Sequence, residues 1–211
     1  MIIQILVDNK SSWIIPYAKR LQQLLLSENH KVELLHNHDD IKKGDILILL
    51  SCEQILKNLN LNTHNLVIHE SALPQGKGWS PLSWQVLEGK SQIPITLFEA
   101  TQKVDAGVIY EQDNISLNGT ELVEELRILQ GEKTIELVIK FVTNYPNNSK
   151  KKQEGLESFY PKRTPKDSEL NIYKTIDEQF NLLRICDNQK YPAYFYKNGI
   201  KYILKIEKVQ S

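Results

Sequence analysis

"HNLVIHESALPQGKGWSPLSW" occupies residues 64–84. Asn65 to Ile68 is a short apolar, β-branched run that reads as a buried strand, with His69 at its end. The residues after His69 are unusual for a plain connector: Ser71, a Leu73-Pro74 step, Gly76-Lys77-Gly78 and two tryptophans, Trp79 and Trp84. Other runs of the same kind lie upstream. Ile2–Val7, Lys31–Leu35 and Asp45–Leu50 read as strands, the last introduced by Gly44, and Trp13–Ser27 has apolar residues at helical spacing. Strands alternating with helices predict an α/β fold with a mainly parallel sheet. In such sheets ligands bind outside the carboxyl ends of the strands, which is where His69 falls.

Downstream, Ser80–Leu87 predicts a helix with Pro81 in its first turn, and Ile93–Phe98 and Val108–Gln112 predict strands. Thr120–Val142 predicts a long helix with Thr120 as N-cap and acidic residues in its first turn. The pattern breaks at Tyr145-Pro146, and residues 147–152 (Asn-Asn-Ser-Lys-Lys-Lys) read as a solvated connector. Beyond it, Ile176–Ile185 predicts a helix. Asn198-Gly199 between Tyr194–Tyr196 and Ile200–Ile206 is a strong hairpin signal. The organisation expected is a core over residues 1–146 and a small α+β appendage over residues 147–211 that ends in that hairpin.

Composition bounds the function. The 211 residues carry 26 Lys+Arg against 26 Asp+Glu, so net charge gives no support for binding a whole nucleic acid. The two cysteines, Cys52 and Cys186, suit a reducing compartment rather than a disulfide framework. The apolar runs are shorter than a membrane span, and the opening MIIQILVDN lacks the features of a signal peptide, so a cytoplasmic protein is expected. No pair of histidines has metal-ligand spacing, so no metal is expected.

His69 has a candidate partner. Asp105 lies in Val104-Asp105-Ala106-Gly107, a turn immediately before a strand. Each residue alone is better explained by structure: a satisfied strand-end histidine, a turn aspartate. Together they form a possible acid–base couple, the carboxylate orienting an imidazole that exchanges protons near neutral pH. Lys77 between two glycines could meet an anion, although an exposed loop lysine is the commoner outcome. Trp79 could stack on a flat ring, whereas Trp84, on a helix, fits the core better.

In order along the chain, His69-x-Ser71-x-Leu73-Pro74-x-x-Lys77-Gly78-x-x-Pro81-x-x-Trp84, then Ile95-Thr96, then Val104-Asp105-x-Gly107-x-Ile109, resembles the core of the folate-dependent formyltransferases. Residues 161–168 (Pro-Lys-Arg-Thr-Pro-Lys-Asp-Ser), with Leu183-Arg184 and Tyr191-Pro192-Ala193, are similar to a segment beyond the core in sugar-modifying members. The resemblance implies a Rossmann-like core, 10-formyltetrahydrofolate as formyl donor and a primary amine as acceptor. It assigns His69 to stabilising the tetrahedral oxyanion, and Asp105 to holding His69 and moving protons through a water. It places the pterin against Ser51, Cys52, Glu53, Ile55 and Val104, and the acceptor against Lys77, Gly78 and Trp79.

The chain departs from the family at Val67, where an asparagine is normal two positions before the histidine, and at Pro94, near a usual glycine. Asn65 points to the same side of a regular strand but lies about 7 Å further back. Glu70, Ser71, Asn65 or a backbone N–H are the candidate substitutes. The short segment after residue 146 and the neutral charge favour an amino-sugar nucleotide as acceptor over tRNA, with closest similarity to formyltransferases of pseudaminic-acid-type sugars made for polysaccharides. A non-catalytic folate- or nucleotide-binding relative and a methionyl-tRNA formyltransferase-like enzyme are the alternatives. The hairpin's strand edges could pair in a homodimer.

Overall fold

The computed structural model describes residues 1–209. Its centre is a six-stranded sheet in the order β2-β1-β3-β4-β6-β7. β1 (Ile2–Leu6), β2 (Lys31–Leu35), β3 (Gly44–Leu49) and β4 (Asn62–His69) run parallel. The two-residue strand β5 (Lys77–Gly78) stands apart from this sheet. β6 (Gln92–Glu99) returns antiparallel beside β4, and β7 (Ile109–Ser116) runs antiparallel to β6. The mixed α/β architecture with a mostly parallel sheet is the one the strand pattern predicts.

The helices are α1 (Ile15–Ser27), α2 (Pro81–Leu87), α3 (Val123–Asn144) and α4 (Phe180–Ile185). Ala18, Leu21 and Leu25 of α1 and Leu126, Ile135, Val138 and Phe141 of α3 are buried with Ile3, Ile5, Ile46, Ile48, Leu66, Ile95 and Leu97 of the sheet in one core. These are the positions that helical and alternating spacing select. α1 and α3 approach closely at Gly131, where an added Cβ would lie 2.4 Å from the Tyr17 ring. On the other face of the sheet, Leu6, Leu35, Ile41, Leu47 and Leu49 form a smaller cluster.

Three expectations change. α3 is capped at Leu122 rather than Thr120: the Glu125 carboxylate reaches back to the Leu122 N–H at 2.8 Å, while Thr120 is held by Asn118. The predicted 176–185 helix divides into a 3₁₀ turn (Asp177–Gln179) and the short α4. Residues 147–152 do not form a free connector. Asn148 donates to the Phe141 carbonyl, and Lys151 pairs with Ile109 at the start of β7.

The chain then runs back over the core, where β8 (Phe159–Tyr160) pairs in parallel with β5. β9 (Ala193–Lys197) and β10 (Ile200–Leu204) form the expected hairpin, with both turn residues, Asn198 and Gly199, at positive φ. Arg184 of α4 ties this segment to the core. Its guanidinium donates to the Glu121 carboxylate at 2.8 Å and the Glu121 carbonyl at 2.9 Å, with both residues buried. No described helix is long and apolar enough to cross a membrane.

Candidate active site

β4 carries His69 to the carboxyl edge of the sheet, one strand away from the end of β3. Directly across on β6, Thr96 is fully buried and donates to the Ser71 carbonyl at 2.7 Å. That bond starts the turn that brings the Gly-Lys-Gly segment back over the histidine. A cis Leu73–Pro74 bond lies within the turn.

The glycines cradle the couple rather than a phosphate. His69 Nε2 lies 2.9 Å from the Gly76 carbonyl oxygen and 3.9 Å from Asp105 Oδ2. A carbonyl can only accept, so Nε2 carries the proton. Nδ1 makes no hydrogen bond among the described residues. The Gly78 N–H donates to Asp105 Oδ2 at 2.9 Å. Gly78 sits at φ +98°, and a Cβ there would come within 2.5 Å of the Tyr160 carbonyl oxygen. Asp105 is itself left-handed, at φ 51°. Gly107 explains the Asp-x-Gly spacing: a Cβ at 107 would sit 1.7 Å from the Glu99 carbonyl oxygen. Only glycine lets the Asp105 loop lie this close to the end of β6.

The candidate substitutes for the family asparagine fall in different places. Val67 packs against Leu73, Phe98 and Ile109 and offers no donor. The Asn65 amide donates to the Leu59 carbonyl at 2.9 Å, so it is used behind the site. The Glu70 carboxyl is buried and accepts from Gln130 of α3 at 2.6 Å, and burial holds it above the usual carboxylate range. The Ser71 hydroxyl is buried and has no hydrogen-bond partner among the described residues, which leaves it as the spare donor two positions after His69.

The residues assigned to the pterin sit on the loops after β3 and β6. Ser51 is exposed at φ 48°. The Cys52 thiol donates to the Leu6 carbonyl, and burial pushes its pKa up to about 12, so it is no nucleophile. The Asp8 carboxylate accepts from the Glu53 and Gln54 N–H groups and fixes this loop. Ile55 and Val104 project apolar side chains that are 64% and 48% exposed.

Lys77 is not the open loop lysine that its neighbours suggest. It is 1% exposed, and its Nζ lies 2.8 Å from Glu157 Oε1. Trp79 is exposed, with the Lys162 ammonium 4.3 Å from its ring centroid. Trp84 is half-buried rather than core: it stacks on Tyr160, and its indole N–H donates to the Pro161 carbonyl.

Sequence reading missed the strap over residues 153–160. Gln153 donates to the carbonyls of Asp105 and Gly107 at 3.0 and 2.9 Å. The Ser158 hydroxyl accepts from the Gly76 N–H at 2.8 Å. No local pattern marks these residues; Phe159-Tyr160 is their single faint strand signal. Among the described residues, no group of three or more His, Cys, Asp or Glu could hold a metal ion.

No protein-family model matches the chain. Methionyl-tRNA formyltransferase of Lactobacillus acidophilus is 29% identical over 190 residues, covering 86% of this chain and 58% of that protein. The bifunctional polymyxin resistance protein ArnA of Wigglesworthia glossinidia brevipalpis is 27% identical over 164 residues, 74% of this chain and 24% of that one. The chain thus spans only part of these relatives. Among solved structures, methionyl-tRNA formyltransferase from Clostridium thermocellum superposes with a TM-score of 0.83 at 18% identity, covering 100% of this chain and 94% of that one. This is the formyltransferase fold. A 4-N formyltransferase from Francisella tularensis shares it at TM-score 0.71 and 21% identity, covering 98% of both chains. HypX from Aquifex aeolicus, solved in complex with tetrahydrofolic acid, shares it at TM-score 0.80 and 18% identity over 98% of this chain and 37% of that one. The expected resemblance to the folate-dependent formyltransferase superfamily therefore holds in sequence and in fold.

Proposed function

We propose that this chain transfers a formyl group from 10-formyltetrahydrofolate to the primary amine of an amino-sugar nucleotide. The observation that carries the reading is the meeting of His69 and Asp105, 36 positions apart in sequence, with 3.9 Å between Nε2 and Oδ2 at the carboxyl edge of the sheet. The amine attacks the formyl carbon; its carbonyl oxygen becomes the oxyanion that the imidazole stabilises. Asp105 holds the imidazolium that this requires and takes up the amine's proton through a water. The oxyanion then collapses, the bond from the formyl carbon to folate N10 breaks, and that proton passes back to N10, releasing the formamide and tetrahydrofolate. Removing one such donor costs roughly 3 kcal/mol of barrier. Ser71 is the candidate for the second donor in place of the family asparagine.

The exposed Ile55 and Val104 side chains and the Asp8-fixed loop are compatible with a pterin, and the tetrahydrofolate of the HypX structure supports a folate donor. The charge balance and the sugar N-formyltransferases among the solved structures favour a sugar nucleotide, with a UDP-linked 4-amino-4,6-dideoxy sugar of the pseudaminic acid type as first choice. We take residues 1–146 as the catalytic core and residues 147–211 as the appendage that braces it. The similarity to methionyl-tRNA formyltransferases supports a second reading, with an aminoacyl-tRNA as acceptor.

The deciding experiment incubates purified protein with 10-formyltetrahydrofolate and a panel of amino-sugar nucleotides and charged initiator tRNA, and detects products by mass spectrometry. A 28 Da increase on one sugar nucleotide, lost in His69→Ala, is the expected result. Formylation of the tRNA alone moves the assignment to the second reading. Saturable folate binding without turnover on any amine means that Val67 marks a lost activity.

A further inference from the structure

A cleft of about 340 Å³ opens beside the Asp105 loop, with Pro74, Ala106, Gly107 and Val108 among its walls. Its charged lining is Lys77, Lys103, Lys152 and Glu157. Lys77 and Lys103 both reach Glu157, and they share a single oxygen, Oε1, at 2.8 Å each. Lys152 lines the cleft and forms no ion pair among the described residues. Two ammonium groups thus share one carboxylate oxygen, one of them almost wholly removed from water, and a third lysine lines the same cleft.

A buried ammonium is costly unless an anion compensates it. Here the compensation is divided between two lysines. If the pair served only to staple β5 to β8, one lysine per carboxylate would suffice. The second and third leave positive charge unspent inside a concavity, where low-dielectric walls strengthen its pull on anions. The Lys103 side chain is 65% exposed and Glu157 is 38% exposed, so both can swing aside without repacking the core. The two lysines hold the Glu157 carboxyl down to about 2, so it stays ionised and is displaced by another anion rather than by a proton.

The cleft is also tied to the couple. Lys77 lies between the two glycines whose backbones hold His69 and Asp105. Gln153, a further lining residue, donates both of its amide hydrogens to the carbonyls of Asp105 and Gly107.

We propose that this cleft is a subsite for an oxyanion group, phosphate or carboxylate, and that Glu157 occupies the lysines until that group arrives. That the anion belongs to one of the two substrates rests on the transfer reading; that the cleft takes an anion does not.

The test is calorimetric titration of the full chain with pyrophosphate and, separately, glutarate, with no formyl donor present. Saturable binding of at least one probe is expected, and the tighter of the two identifies the phosphate or carboxylate source. Lys103→Met should weaken it roughly three- to fivefold, the share of one exposed ion pair. Glu157→Gln keeps an acceptor for the Lys77 ammonium, removes the competing charge, and should tighten the same probe. Absence of binding for both probes overturns the proposal, as does affinity that neither variant changes. So does a Glu157→Gln protein that binds more weakly and melts earlier, because that is the behaviour of a staple. These readouts need no turnover, so they stand or fall separately from the transfer assay.

Discussion

β4 carries a histidine near each end, and the two are treated in opposite ways. His64 is saturated. Its Nδ1 meets the Glu99 carboxylate at 3.0 Å and the Tyr110 hydroxyl at 3.2 Å. The rings of Tyr110, Phe141 and Tyr145 pack edge-on around it. The Tyr110 hydroxyl donates to the same carboxylate, and burial beside that charge pushes its pKa above the usual tyrosine value. His69 has one short contact, one carboxylate at 3.9 Å and, two positions on, a Ser71 hydroxyl with no hydrogen-bond partner among the described residues. Full satisfaction of a buried polar group stabilises a fold; capacity left over is what a substrate can use.

The largest effect that would break this contrast is on rate. His69→Ala should lower formyl transfer by about 10²-fold, the cost of removing an oxyanion donor, with little change in melting temperature. Release of tetrahydrofolate, monitored by absorbance, measures it. If His64→Gln caused the same loss of rate, the contrast would be void. Gly107→Ala comes next. The 1.7 Å approach to the Glu99 carbonyl oxygen forces the backbone apart, and a stability loss of at least about 3 kcal/mol is expected in urea denaturation.

His64→Gln itself should cost about 1 kcal/mol, the penalty for disrupting a partly buried hydrogen-bonded group, while kcat stays near the wild-type value. The smallest effect concerns Glu70. Burial raises its folded pKa above the ordinary value of 4.5. The folded chain therefore holds a proton that the unfolded chain releases. The stabilisation is complete below 4.5 and is lost as pH rises through the raised folded value. Glu70→Gln should flatten that decline in a melting-temperature series from pH 4 to 8. A wild-type curve that rises with pH while the variant's does not would contradict the assignment.

The strands were legible because a strand buried on both faces reads as a nearly continuous apolar run, and Ile2–Leu6, Ile46–Leu49 and the Leu66–Ile68 part of β4 are such runs, interrupted only by Gln4. The hairpin was legible because Asn198-Gly199 meets a backbone requirement that few residue pairs satisfy. His69 and Asp105 could be picked out by position, one at a strand end and the other in a turn. The α3 cap was misread because Thr120 and Leu122 lie two residues apart, and a long-reaching Glu125 decided between them. Lys77 was misread because the glycines beside it suggest an open loop, whereas the group that buries it, Glu157, is 80 residues away in sequence.

Sequence alone determined the alternating strands and helices, the chemical types at the carboxyl edge and the order of the motif, because each is written in local spacing and residue chemistry. Only tertiary structure decided that the Gly76 carbonyl and Gly78 N–H brace the couple, that residues 153–160 strap it down, and that two lysines converge on one carboxylate. Those contacts join segments that no local rule relates, and chain topology alone brings them within hydrogen-bonding distance.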